Sequence, residues 1–138
     1  MLKLNKKVEY ALMALLYMDR QKDLVAAREV SEACRAPADL LGKVLQALAK
    51  GGLIHSVQGA HGGYRLARPA REITLGEVIE AVEGPVHLVS CQKHPEDCGQ
   101  FETCRIRRPV AQVQQQLQDY MHGLSLDAFD GKSLGRAS

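Results

Sequence analysis

Three of the four cysteines lie close together in the second half of the chain, in the arrangement Cys91-x6-Cys98-x5-Cys104. Thiolates are soft ligands that suit iron–sulfur clusters, zinc and copper(I). Zinc sites favour two-residue gaps because two sulfurs must reach one small ion, whereas wider gaps let a loop wrap a larger group. The spacing therefore indicates a metal site and fits an iron–sulfur cluster better than zinc. Three metal-free thiols, or a thiol–disulfide sensor, are the alternatives.

The composition predicts a globular protein with one modest core. The chain has 138 residues, of which 46% are hydrophobic and 25% charged, with a formal net charge of +2. No apolar run is long enough to span a bilayer, and the first residues lack the pattern of a signal peptide. We therefore expect a cytoplasmic protein without a membrane partner, whose cysteines are reduced thiols or metal ligands. The sequence contains no nucleophile–base pair or phosphate-binding loop that would predict an enzyme.

Three helices are predicted ahead of the cysteines from the spacing of apolar residues. The first ends near Arg20, a brief second helix covers residues 27–33, and the third runs from Pro37 to Gly51. Only Cys34, Arg35 and Ala36 separate the second helix from Pro37. Two helices joined by so tight a turn are typical of a helix-turn-helix motif.

A β-hairpin is predicted directly after the third helix. Residues 53–57 alternate like a strand, residues 59–63 form a glycine-rich turn, and residues 64–66 return. A hairpin in this position is the wing of a winged helix-turn-helix domain. Thr74 and Glu77 then form a capping-box pattern, which predicts the start of a fourth helix.

The last segment of apolar periodicity predicts a helix that begins near Pro109 and packs against a second copy of itself. Its apolar residues are spaced 3, 4, 3 and 4 apart, as in the seam of a coiled coil. A seam on a helix outside the small domain needs a partner, so we predict a homodimer with twofold symmetry. The seam consists of Val110, Val113, Leu117, Tyr120 and Leu124.

The predicted fold class is therefore α+β, mostly α. Residues 1–84 form a winged helix-turn-helix DNA-binding domain, and residues 85–104 form a cysteine-rich cluster-binding loop. Residues 105–130 form a dimerisation helix with its cap, and residues 131–138 form a disordered tail.

Residues that could contact double-stranded DNA lie at the start of the third helix and in the wing. The N-terminal residues of a recognition helix face base edges in the major groove. Glycines in the wing would let its backbone approach the duplex, although a glycine turn that binds nothing is the alternative. The base-contact candidates are Ala38, Asp39, Gly42 and Lys43. The wing residues predicted to lie close to the duplex are Gly59, His61, Gly62, Gly63 and Arg65, and the phosphate candidates are Lys3, Lys6, Arg28, Lys43 and Lys50.

Four segments together resemble the Rrf2 family of winged-helix regulators. They are the opening Val8-Glu9-Tyr10-Ala11-Leu12, the wing over residues 57–66, the segment over residues 73–79 and the three-cysteine loop. The resemblance covers residues 1 to about 128. It implies a homodimer that binds a pseudo-palindromic operator, with a [2Fe–2S] or [4Fe–4S] cluster that controls the affinity. The positions at which the family reads bases correspond to Asp39, Gly42 and Gln58.

Three cysteines leave a cluster one ligand short. Iron–sulfur assembly regulators of this family have a histidine three residues after the last cysteine, where this chain has Arg107. Nitric-oxide sensors of the family have an acidic residue before the tyrosine of the first helix, and here that residue is Glu9. The resemblance implies that Glu9 is the fourth ligand, supplied by the partner subunit. A surface carboxylate neutralised by an adjacent lysine is the alternative, and His94 and Cys34 are the other candidate ligands.

The sequence thus predicts a transcription regulator, and specifically a repressor, that senses redox state, nitric oxide or iron–sulfur status through a bound cluster. One alternative is a thiol- or zinc-based regulator without a cluster. Another is an iron–sulfur carrier or assembly partner that retains a winged-helix domain. The wing glycines favour a regulator, because carrying a cluster has no use for them.

Overall fold

The computed structural model describes residues 4–88, 96 and 104–130, without the side chain of residue 130. The predicted winged-helix architecture, mostly α-helical with one two-stranded sheet, is confirmed. Its helices are α1 (Lys6–Asp19), α2 (Ala27–Cys34), α3 (Ala38–Lys50), α4 (Leu75–Glu83) and α5 (Arg107–His122). Its strands are β1 (Ile54–Val57) and β2 (Gly63–Leu66), and short 3-10 helices cover Ala70–Glu72 and Leu126–Asp130.

The core lies between α1, α3 and α4, where the apolar stripes of three amphipathic helices meet. Leu15, Leu45 and Val78 each have no exposed surface. Each large apolar side chain buried in this way stabilises the fold by about 1.5–3 kcal/mol. Ala33, which helical periodicity predicts to face inward, is exposed, and Ala36 is buried instead. The reason for the exposure of Ala33 is that Val30 and Cys34 form the side of α2 that packs against the core.

That turn is held in a left-handed backbone conformation at a residue other than glycine. Arg35, the C-cap of α2, has φ 52° and ψ 42°. The amide of Ala36 donates to the carbonyl of Ser31 at 3.0 Å, and the Ser31 hydroxyl donates to the carbonyl of Ala36 at 2.6 Å. A side chain in this conformation costs about 1–2 kcal/mol, so the two hydrogen bonds hold a strained residue in the helix-turn-helix turn.

The wing is tied back to the domain by a short backbone pairing. The amide of Val25 donates to the carbonyl of Tyr64 at 2.9 Å, and the amide of Tyr64 donates to the carbonyl of Val25 at 2.8 Å. A Cβ at Gly63 would lie 2.6 Å from the carbonyl oxygen of Val25, and one at Gly62 would lie 2.0 Å from that of Val57. Both glycines are therefore required by the wing itself, whatever the wing contacts.

Helix α5 packs along α4. The ring of His122 lies so close to Gly76 that a Cβ there would be 2.7 Å from the ring, and its Nε2 is 2.9 Å from Oε1 of Glu80. After α5 the chain returns to the core, where Leu126 has no exposed surface and its amide donates to the carbonyl of Ile73 at 2.8 Å. The joint between α4 and α5 is therefore part of the same packed unit as the winged domain.

Two local predictions about helix starts have different outcomes. The capping box is confirmed, since the Thr74 hydroxyl accepts from the Glu77 amide at 3.2 Å and the Glu77 carboxylate accepts from the Thr74 amide at 3.3 Å. The predicted start of the last helix at Pro109 is wrong, because α5 begins at Arg107. Proline in the first turn lacks only an amide that would have no helical partner there, so the helix can begin before it.

Among the described residues, no helix combines the length and the apolar content that crossing a membrane requires.

Candidate DNA-binding surface and cysteine site

The outward side of α3 carries most of the base-contact candidates. Asp39 and Lys43 are exposed there, and Gly42 lies between them. Gln46, one turn further along, is also exposed on this side, although the sequence analysis did not include it. Spacings of three, four and seven residues from Asp39, which place side chains on one helix face, would have identified it. We call Asp39, Gly42, Lys43 and Gln46 the outward face of α3.

The wing presents a second polar surface. Gln58, Gly59 and His61 are exposed at its tip, and Gly59 has φ +110°, a conformation that favours glycine. Arg65 is exposed on β2 directly opposite exposed His55 on β1. His55 was missed by the sequence analysis, although strict alternation from buried Ile54 places it on the outer face.

The wing and α3 are joined closely enough to move as one surface. Helix α3 ends at Lys50 and β1 begins at Ile54. The amide of Leu53 donates to the carbonyl of Leu48 at 3.0 Å, and Leu53 is buried. This hydrogen bond and the burial of Leu53 hold the linker between α3 and the wing against the core.

The phosphate candidates divide according to their partners. Lys6 pairs with Glu9 at 3.2 Å, and Arg28 pairs with Glu32 at 3.2 Å. Exposed pairs of this kind contribute about 0–1 kcal/mol, so a phosphate could displace either carboxylate. Lys43 and Lys50 are exposed on α3, Ala38 is exposed at its start, and Lys3 lies outside the described residues.

Of the three cysteines in the predicted cluster loop, only Cys104 belongs to the described residues; Cys91, Cys98 and His94 lie outside them. Cys104 is half-buried and lies three residues before Arg107, the first residue of α5. Arg105 follows it directly in the sequence, Arg108 lies in the first turn of α5, and the positive end of the helix dipole is at the start of this helix. This positive environment suits an anionic group made of thiolates and iron.

Glu9 lies in the first turn of α1, where its carboxylate is 3.2 Å from the ammonium of Lys6. The Glu9 side chain is 41% exposed and that of Lys6 is 75% exposed. Water screens such a pair strongly, so replacing the Lys6 ammonium by another cation beside Glu9 costs little free energy. Glu9 therefore remains a candidate ligand whose carboxylate is accessible.

A cavity of about 540 Å³ lies between the start of α1, the end of α4, residues 85–88 and α5. Its walls are mostly apolar, and the polar side chains on it belong to Asn5, Glu83 and His87. The Gln114 side chain accepts from the Leu88 amide at 2.9 Å, which fixes residues 85–88 on α5. The first residues of the predicted cysteine loop thus face the N-terminal end of α1 across one cavity.

Cys34 lies in a different part of the fold, in a cleft beside Met13 and Leu16. It is half-buried, and burial raises the pKa of its thiol. Tyr17 in the same cleft donates to the carboxylate of Glu29, and this hydrogen bond, with burial, raises the pKa of the phenol. Both groups are therefore held in their protonated forms, which disfavours the thiolate that ligation or oxidation requires.

The heptad seam predicted for the last helix is divided between two surroundings. Val110 and Leu124 are half-buried against their own chain. Val113, Leu117 and Tyr120 are 50%, 38% and 52% exposed. We call these three residues the apolar stripe of α5. Leu117 also lines the cavity, so the stripe adjoins the cavity at this residue.

Comparison with known proteins extends these observations. Residues 4–129 match the Rrf2 family, described as iron-dependent transcriptional regulators. A protein of Aquifex aeolicus (strain VF5) named as an HTH-type transcriptional regulator is 31% identical over 122 residues, covering 86% of this chain and 85% of the relative.

Two solved structures share the fold. CymR, the global cysteine regulator of B. subtilis, is 20% identical with a TM-score of 0.68, covering 100% of this chain and 99% of CymR. IscR of T. potens is 24% identical with a TM-score of 0.65, covering 99% of this chain and 89% of IscR. The match over residues 4–129 establishes that the chain belongs to the Rrf2 family, whose members are transcription regulators and not enzymes.

Proposed function

We propose that this regulator is a homodimeric repressor that binds a pseudo-palindromic operator and senses redox state, nitric oxide or iron–sulfur status. In this proposal a [2Fe–2S] or [4Fe–4S] cluster is held by Cys91, Cys98 and Cys104, and the protein acts in the cytoplasm. The observation that carries the proposal is the setting of Cys104, which is half-buried and lies three residues before α5, where the positive end of the helix dipole and Arg108 are found.

The DNA contacts are assigned to the outward face of α3 and to the wing. Aspartate, lysine and glutamine on the helix can bond base edges in the major groove. The wing brings Gln58, His61 and Arg65 to the same rigid unit, where they can reach the backbone or the minor groove. Lys43 and Lys50 supply positive charge for phosphates along α3.

The donor set fits an iron–sulfur cluster. Three thiolates are suitable ligands for iron, and a bound cluster would supply redox and nitric-oxide chemistry at this point of the fold. Glu9 would be the fourth ligand, and a hard carboxylate oxygen would be the weakest of the four. Because Glu9 is on α1, its ligation would connect the cysteine loop with a helix of the DNA-binding domain.

The second copy is proposed to cover the apolar stripe of α5 and the adjoining cavity. Three large apolar side chains lie about half exposed on one face of α5. A contiguous apolar patch of this kind usually marks a surface that contacts a partner. A twofold dimer would present two outward faces of α3, one from each copy. Half-sites about one helical turn apart would then be read together.

The alternative is a thiol-based regulator without a cluster, which the similarity to the cysteine regulator CymR supports. Cys34 gives little support to it, because burial raises the pKa of this thiol. The other three cysteines are the proposed cluster ligands. The metal and sulfide content of the protein therefore distinguishes a cluster-based regulator from a thiol-based one.

The test is the metal content of protein purified without oxygen. Wild type should be brown and contain iron and acid-labile sulfide, and Cys98→Ala should lose most of both. Cys34→Ala is the matched control and should keep the cluster. Stoichiometric zinc without sulfide, or no metal at all in fresh protein, would show that the cluster assignment is wrong.

A further inference from the structure

Gly42 is a glycine inside α3 whose presence the fold does not explain. It is the fifth of the 13 residues of the helix, far from either end. Glycine in a helix interior is less favourable than alanine, because it loses more backbone freedom on folding. A glycine at such a position therefore lowers the stability of the helix unless it allows a contact that a side chain would block.

The usual internal reasons are absent at Gly42. Its backbone is not among those with positive φ. Beyond the surrounding helix backbone, no atom of the described residues would lie within 4 Å of a Cβ built there. By contrast, a Cβ at Gly51 would lie 2.9 Å from Cβ of Ala81, and one at Gly76 would meet the ring of His122. Those two glycines permit close packing of helices, whereas Gly42 permits no such contact with any of the described residues.

We propose that Gly42 is the point of closest approach between α3 and the operator, and that Gln46 reads a base next to it. The inference rests on the proposed DNA-binding function. The open space above Gly42 lies on the outward face of α3, between exposed Asp39 and Lys43. A missing side chain at the centre of that face lets the helix backbone lie directly against a base pair in the major groove.

Close approach at Gly42 brings Gln46 within reach of the adjoining base. Gln46 is one helical turn from Gly42 and exposed on the same face. A glutamine amide matches adenine, donating to N7 and accepting from N6. Gly42 and Gln46 therefore form a two-residue specificity element, in which the first sets the depth of the helix and the second reads adenine.

The experiment uses the duplex that full-length wild type enriches from a randomised pool, measured at one fixed salt concentration. Gly42→Ala should raise the melting temperature, because alanine is the better helix former and fills open space. Its affinity for the enriched duplex should fall about tenfold or more, within the range of a lost base contact, while its affinity for an unrelated duplex stays unchanged. Gln112→Ala, at an exposed position on α5, is the control and should keep full affinity for the enriched duplex.

A second selection tests the base assignment. Gln46→Ala should enrich duplexes in which the preference for adenine is lost at one position of each half-site and kept elsewhere. If Gly42→Ala binds the wild-type duplex as tightly as wild type, the close approach is refuted while the DNA-binding function stands. If wild type itself enriches no sequence, the DNA-binding function fails and this inference fails with it.

Discussion

The apolar stripe of α5 gives the sharpest prediction about assembly. Val113, Leu117 and Tyr120 are 50%, 38% and 52% exposed. Full burial of a large apolar side chain is worth about 1.5–3 kcal/mol, so covering these fractions contributes about 2–4 kcal/mol per copy and about 4–8 kcal/mol per dimer. Bringing two chains together costs about 4–15 kcal/mol, so the stripe alone does not hold a dimer at micromolar concentration and the rim of the cavity must contribute as well. Loss of one member of the stripe should therefore be measurable.

Leu117 is the member to change, because it belongs to both the stripe and the cavity. Leu117→Ala removes about 0.6–1.1 kcal/mol of burial, and twofold symmetry counts it twice, which weakens dimerisation by about 7- to 40-fold. Leu117→Asp places an unpaired carboxylate in each copy of the interface, at a cost of several kcal/mol. We expect this variant to be a monomer at micromolar concentration.

Sedimentation velocity over a series of concentrations measures both effects, and circular dichroism checks that each variant is folded. Gln116→Asp is the matched control, since it adds the same charge at an exposed position of α5 outside the stripe. It should dimerise as wild type does. A wild-type protein that sediments as a monomer at micromolar concentration, or a folded Leu117→Asp that dimerises with wild-type affinity, would refute the assignment.

Three further changes test the switch, the turn and the capping box. Glu9→Ala should keep iron but shift the absorption spectrum. It should also reduce the difference in operator affinity between holo and apo protein, which is expected at about 5- to 150-fold and is measured by gel-shift titration. If the spectrum and the affinity ratio are unchanged, Glu9 is only a surface carboxylate. Arg35→Gly should stabilise the fold by about 0.5–1 kcal/mol in thermal unfolding, since it removes left-handed strain but adds freedom to the unfolded chain. Burial alone would raise the pKa of Glu77, but Arg68 and Thr74 outweigh it and hold that pKa below its usual value. The ionised Glu77 carboxylate stabilises the fold above the pKa that this group has in the unfolded chain, and this contribution is lost as pH falls through the lower pKa of the folded state. The loss of unfolding free energy caused by Glu77→Gln, measured in urea, should therefore shrink below about pH 4. A loss that does not change with pH would contradict this assignment.

The winged domain was predictable because its signals are local. Helical spacing of apolar residues identified α1 and α3, and the Thr74 and Glu77 pattern located the start of α4 within one residue. Alternation and clustered glycines identified the wing. Each of these signals involves residues within a few positions of one another, so a single sequence contains all the information they need.

The predictions that failed or lacked detail depend on contacts between distant residues. Ala33 shares the periodicity of α2 but is exposed, because Val30 and Cys34 form the side of α2 that packs against the distant residues of the core. Gly62 and Gly63 suggested close approach to DNA, yet Val57 and Val25 already exclude a side chain at these positions. The sequence shows that a glycine is present, and only the packed structure shows which neighbour requires it.

The divided seam of α5 is a further feature that the sequence pattern alone did not predict, and it bears directly on dimer assembly. Heptad spacing states which residues share a helix face, but it does not state what covers that face. Gln114, left outside the seam, binds the backbone of Leu88, and so α5 presents a polar side to its own chain as well as an apolar one. Since Val110 is half-buried within one copy while Val113 is half exposed, only part of the seam is available to a partner. A dimer built on the remaining stripe would therefore also contact the cavity beside residues 85–88, where the cysteine loop begins.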